Sequence, residues 1–214
     1  MDRNPHLDTL VRTLGPRAED VGVATVLIHG RNQGPADMLA LAERFDLEGM
    51  PFIAVEAAQA SWYPNRFMAP LSENQPWLDF ALERLEQLIR NLERRGIKRT
   101  NIALLGFSQG ACLASEFVYR NAQRWGGLIA FTGGLIGPAE TTWTTSLQLD
   151  GTPVLIANGD QDEWVPRKRT EQSAEVFERM GGDVQLKIYP GRSHEVSDDE
   201  VERARAVLAR LIPH

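Results

Sequence analysis

Apolar residues along the chain fall into two alternating patterns. Short apolar runs of strand length, two of them interrupted by polar residues, occur at Val23 to Ile28, Phe52 to Val55, Ile102 to Leu105, Leu128 to Phe131, Val154 to Ala157 and Val184 to Ile188. Between them lie segments whose apolar positions step by three or four, the spacing of one helix face. Pro35 to Phe45 is the first, with proline at a first-turn position and Met38, Leu39, Leu41, Ala42 and Phe45 as its stripe. Trp77 to Leu92 is the clearest, with Leu78, Leu82, Leu85, Leu88, Ile89 and Leu92 on one face. Arg94 and Arg95 suit its last turn, and Gly96 stops it. Ala111 to Tyr119, Arg169 to Met180 and Glu200 to Leu211 complete the predicted helices.

Strand alternating with helix predicts an α/β fold with a mostly parallel central sheet and helices on both faces. The expected organisation is a single domain over 1–214. Two long stretches interrupt the alternation, Ala57 to Pro76 and Thr132 to Pro153. Unstructured stretches of such length in compact domains are usually functional. Both follow a strand, so both are expected at the sheet rim where open parallel sheets bind ligands.

Composition narrows the function classes. The chain has 214 residues, 43% of them hydrophobic and 24% charged, which is ordinary globular usage. The net charge of -6, with basic residues scattered among acidic ones, argues against nucleic acid as a partner. The only cysteine, Cys112, has no partner for an intramolecular disulfide. That suits a reducing, cytoplasmic setting. Met1-Asp2-Arg3-Asn4-Pro5-His6 carries no apolar secretory core, and no apolar run is long enough for a membrane span.

The sharpest chemical signal is Gly106-Phe107-Ser108-Gln109-Gly110. It follows the run Ile102 to Leu105 and opens a helix, the context of a nucleophile elbow. Small residues on either side let the turn close while Ser108 stands clear of the sheet. A serine hydroxyl needs a base to become nucleophilic. His194 is the best candidate, because its loop follows the last strand and so ends on the same rim. His6 lies near a terminus expected to be loose, and His214 is the final residue. His29 is read as bracing its own loop. The third group should be an acid after the strand Val154 to Ala157. Asp160 and Asp162 compete there, with Asp162 favoured and the other left to cap or turn the chain.

His29-Gly30-Arg31-Asn32 ends the first predicted strand, where an oxyanion-hole loop belongs. The two donors are assigned to the main-chain amides of Arg31 and Gln109. Cys112, one turn beyond Ser108, reads as a small buried side chain. Trp62, Tyr63, Phe67 and Met68 in the first long stretch, Trp143 in the second, and Trp164 beside the acid either line an apolar substrate pocket or pack their loops down. Trp62, Tyr63, Phe67 and Trp164 are the candidate substrate-binding set.

These residues resemble the phospholipase/carboxylesterase family, which includes the acyl-protein thioesterases. The resemblance rests on Leu27-Ile28-His29-Gly30-Arg31, Ala36-Asp37-Met38-Leu39, Trp62-Tyr63-Pro64, the Ser108 elbow, Asp162 with Val165-Pro166, and Gly191 with Ser193-His194-Glu195. The Trp-Tyr-Pro loop is similar to bacterial carboxylesterases of the family. The resemblance implies an α/β-hydrolase without a large lid domain, acting on small-molecule esters, with Ser108, Asp162 and His194 as triad. It implies no metal or organic cofactor. Lysophospholipase or acyl thioesterase activity is the alternative specificity, and a binding protein that keeps the fold is the alternative class. A homodimer is left open. Two positions depart from the family pattern: Asn158, where histidine is frequent, and Glu163-Trp164, where small or branched residues are frequent. The indole of Trp164 is expected to fill acyl space and favour short chains.

Overall fold

The computed structural model describes residues 3–213. Met1, Asp2 and His214, which entered the terminal and histidine readings above, lie outside them. Among the described residues the strands form one seven-stranded sheet. They are β1 (Val11–Leu14), β2 (Ala24–Ile28), β3 (Phe52–Val55), β4 (Ile102–Phe107), β5 (Gly127–Phe131), β6 (Pro153–Gly159) and β7 (Asp183–Tyr189). Their order is β1-β3-β2-β4-β5-β6-β7. β1 runs antiparallel to β3, and all other pairs are parallel. This is the α/β-hydrolase fold without a large lid among the described residues.

The helices are α1 (Ala18–Val21), α2 (Pro35–Glu43), α3 (Trp77–Arg94), α4 (Gln109–Arg120), α5 (Arg167–Arg179) and α6 (Asp198–Ala209). Strands buried on both faces read as continuous apolar runs, yet alternate residues still point to opposite sides. In β4, Ile102 and Leu104 join the core under α3, α4 and α5. Ala103 and Leu105 join the core under α2 and α6. The apolar stripe of α3 is buried at Leu78, Leu85, Leu88, Ile89 and Leu92. Asp198, Asp199 and Glu200 fill the first turn of α6, where negative charge complements the helix dipole.

β1 and α1 are not among the predicted elements. β1 is an edge strand whose residues Val11, Arg12 and Thr13 are all exposed, so no apolar run marks it. His6 is not on a loose terminus. It is fully buried, its Nδ1 accepts from the Ala58 amide at 3.0 Å, and its ring lies 5.6 Å from that of Trp62. No helix among the described residues is long and apolar enough to cross a membrane.

Candidate active site

β4 delivers Ser108 to the sheet's carboxyl edge, and α4 starts at the next residue. Ser108 has φ 55° and ψ -119°, a left-handed conformation that costs a non-glycine residue energy. The strain is held in place from both sides. The Ser108 amide donates to Phe131 O at 3.0 Å, and its carbonyl accepts from the Cys112 amide at 3.0 Å. Glycine is required at both ends of the turn. A side chain at Gly106 would collide with the backbone of Gly110, and one at Gly110 with the backbone of Ile28.

The loops after β6 and β7 bring in Asp162 and His194. They are tied together where the Gln161 amide donates to Arg192 O at 3.0 Å. His194 Nδ1 lies 2.7 Å from Asp162 Oδ2, and its Nε2 lies 2.8 Å from Ser108 Oγ. With Asp162 ionised, Nδ1 carries the proton and donates it. Nε2 is then free to accept from the Ser108 hydroxyl. Asp162 Oδ1 accepts from the amides of Trp164 and Val165 at 2.8 and 2.9 Å. Burial works against ionisation of this carboxyl, but the His194 and amide hydrogen bonds outweigh it and hold its pKa below the ordinary range.

Asp160 points elsewhere. Its Oδ1 accepts from the Gly191 amide at 2.7 Å, at the base of the His194 loop. Asn158, in the position where histidine is frequent, is buried. Its Nδ2 donates to Val165 O at 2.9 Å and Thr170 Oγ1 at 3.0 Å, which anchors the Asp162 turn.

The amides of Arg31 and Gln109 both belong to residues lining the cavity beside Ser108. Among the described residues neither amide donates to another protein group. Gln109 opens α4, and the first amides of a helix have no partner within it. The two side chains do separate work. Gln109 Oε1 accepts from the Trp62 amide at 3.0 Å, and Arg31 donates to the carbonyls of Tyr63, Pro64 and Asn65 at 2.8 Å each. They fix the loop 61–65 over the site. His29 braces the same region, with its Nδ1 2.7 Å from Gly30 O and its Nε2 accepting from the Ala57 amide at 3.0 Å. Burial lowers its pKa and so keeps the ring neutral. Cys112 reaches the cavity floor, but burial pushes its thiol up to about 12, which removes it as a rival nucleophile.

The cavity has a volume of about 530 Å³. Tyr63, Phe67 and Trp164 of the candidate substrate-binding set line it, and Trp62 does not. Trp62 is fully buried behind the loop, where its indole N–H donates to His29 O at 2.8 Å. An indole whose one polar atom is satisfied inside the core packs the loop down. Trp164 also departs from expectation. It is 56% exposed and stands at the mouth, so it does not fill the interior.

The second long stretch, 132–153, contributes no residue to the cavity wall. Its organiser is Arg169, a residue the sequence reading did not single out. Although on the first turn of α5, Arg169 is only 1% exposed. It donates to the carbonyls of Leu135, Gly137 and Pro138 at 2.7 to 2.8 Å and lies 4.8 Å from the Trp143 ring centroid. No local sequence signal marks it, because Arg167-Lys168-Arg169 reads as an exposed basic turn.

A serine, an imidazole and a carboxylate joined by two short hydrogen bonds at a strand-to-helix elbow are the parts of a hydrolase site. The family model described as Phospholipase/Carboxylesterase matches residues 50–212. The chain belongs to this family. It is a serine hydrolase of the ester-cleaving type. A phospholipase/carboxylesterase structure from Dyadobacter fermentans superposes with a TM-score of 0.89 at 38% identity, covering 94% of this chain and 97% of that one. Two relatives named acyl-protein thioesterase 1 are more distant. The one from Gibberella zeae is 28% identical over 145 residues, which span 66% of this chain and 61% of that protein. The one from Eremothecium gossypii is 26% identical over 221 residues, spanning 91% of this chain and 90% of the other.

Proposed function

We propose that the protein is a serine carboxylesterase that works through an acyl-enzyme on Ser108. The observation that carries this reading is the chain of hydrogen bonds from Asp162 through His194 to Ser108, at 2.7 and 2.8 Å. Ser108 Oγ attacks the ester carbonyl carbon while His194 Nε2 takes its proton. The carbonyl oxygen becomes an oxyanion held by the Arg31 and Gln109 amides. Collapse of this intermediate breaks the bond to the alcohol oxygen, which leaves with the proton from His194. Water then attacks the acyl carbon as His194 takes its proton; the acyl bond to Ser108 Oγ breaks, Ser108 takes the proton back from His194, and the acid leaves. Asp162 keeps the imidazole oriented and stabilises its cationic form.

Thioester cleavage is the second reading. It uses the same steps with a thiol as leaving group, and the relatives named acyl-protein thioesterase favour it. Hydrolysis of p-nitrophenyl acetate, followed on the millisecond scale, tests the shared chemistry. A burst of p-nitrophenol equal to the enzyme concentration is expected. A folded protein that releases none overturns the esterase reading and leaves a binding protein. Acyl esters and thioesters of matched chain length then separate the two specificities.

A further inference from the structure

The cavity differs in charge from the chain that encloses it. Asp and Glu outnumber Lys and Arg by 29 to 23 in the sequence. Yet among the described residues no Asp or Glu lines the cavity, while Arg31 and Arg66 both do. Glu163 and Glu195, each next in sequence to a cavity residue, are exposed and stay off its wall.

The two arginines are used differently. Arg31 spends its donors on three backbone carbonyls of the loop it holds, so its charge has no counter-ion among the described residues. Arg66 is exposed and, among the described residues, its side chain makes no hydrogen bond and no ion pair. Its guanidinium carbon lies 5.3 Å from the ring centroid of Trp164. A cation over an aromatic ring is held through its face. The N–H donors lie in the guanidinium plane and stay free for a planar or tetrahedral anion. Trp164 therefore stations at the mouth of the site a guanidinium that has no ion-pair partner among the described residues.

We infer that Arg66 selects esters that bear a second, anionic group, a carboxylate or a phosphate, held at the cavity mouth while the ester lies at Ser108. The inference rests on the esterase reading for its reaction but not for its binding step. Arg31 adds to the local positive potential, and Trp164 acts as a positioning residue for Arg66.

Two matched pairs of substrates test it. Monoethyl succinate and ethyl 4-methylpentanoate have the same shape, and only the first is charged. Acetylglycerol phosphate and acetylglycerol form the phosphate arm. In at least one pair the anionic member should have a kcat/KM higher by about tenfold or more, the range of a charge-assisted contact. The responsive pair identifies which anion the site takes. In Arg66→Gln protein that ratio should fall toward one, and in wild type it should shrink when ionic strength rises from about 0.02 to about 0.5 M. A ratio near one in both pairs, or one unchanged in Arg66→Gln, overturns the inference. Calorimetry on Ser108→Ala protein separates this from a failure of the esterase reading. The same anionic ester should bind more tightly than its neutral partner there, and the difference should vanish when Arg66→Gln is added. If wild type cleaves none of the esters, the esterase reading fails, and the calorimetric difference alone decides the anion site.

Discussion

Arg31 and Gln109 meet at the carbonyl oxygen of Tyr63, each donating to it at 2.8 Å. The same two residues supply the main-chain amides assigned to the oxyanion hole. One carbonyl on the loop 61–65 thus links the loop after β2 to the start of α4. A donor pair that must point at a developing charge is rigid only if its supports are.

That link predicts energetic coupling. Gln109→Leu leaves the buried Trp62 amide without its acceptor and should cost about 1–3 kcal/mol of stability. Arg31→Met loosens the same loop from the other side. Urea unfolding of the two single variants and the double variant gives the coupling energy. It should exceed about 0.5 kcal/mol, the mark of residues that share a partner. Simple additivity would mean that the two supports act independently.

Asp160 and Asp162 can be separated by isosteric substitutions. Asp162→Asn removes the charge facing His194 and should lower turnover by about 10⁴. Asp160→Asn touches only the Gly191 amide and should cost far less. Steady-state rates on a soluble ester, with folding checked by circular dichroism, decide the matter. Loss of activity in Asp160→Asn alone would reverse the assignment.

Stability should decline in mild acid because of His6. Burial lowers its pKa from 6.5 to about 4 in the folded protein. The unfolded chain therefore binds a proton that the folded chain refuses between these values. Its contribution is fully present above pH 6.5 and is lost as pH falls toward 4. The loss amounts to about 3 kcal/mol at about 1.4 kcal/mol per pH unit. Buried His29 acts in the same direction. Urea unfolding between pH 7 and 4 should show the decline. His6→Gln should be less stable at pH 7 and less sensitive to acid. Equal slopes for variant and wild type would exclude His6 as a cause.

The inner parallel strands β2 to β6 and the elbow were legible because each carries its own local cause. A strand buried on both faces must be apolar throughout, and a turn that brings Gly106 against Gly110 must lack side chains there. The spacing after β6 already favoured Asp162 over Asp160, and the fold directs Asp160 to the Gly191 amide while Asp162 faces His194. What stayed hidden depends on long-range partners. β1 is an exposed edge, so its pairing with β3 leaves no apolar pattern. Trp62 and Tyr63 are neighbours in sequence, but one N–H, bonded to His29 O, turns the first into the core while the second lines the cavity. Arg169 is buried by carbonyls more than thirty residues away along the chain.

The central claim is that Ser108 forms a covalent acyl-enzyme, and active-site labelling tests it most directly. A fluorophosphonate should attach one adduct per chain, and peptide mass spectrometry should place it on Ser108. Ser108→Ala protein, folded and at the same concentration, should stay unlabelled. Its turnover should fall by about 10⁴–10⁶. Undiminished labelling of Ser108→Ala, or an adduct mapped to another residue in wild type, would contradict the account.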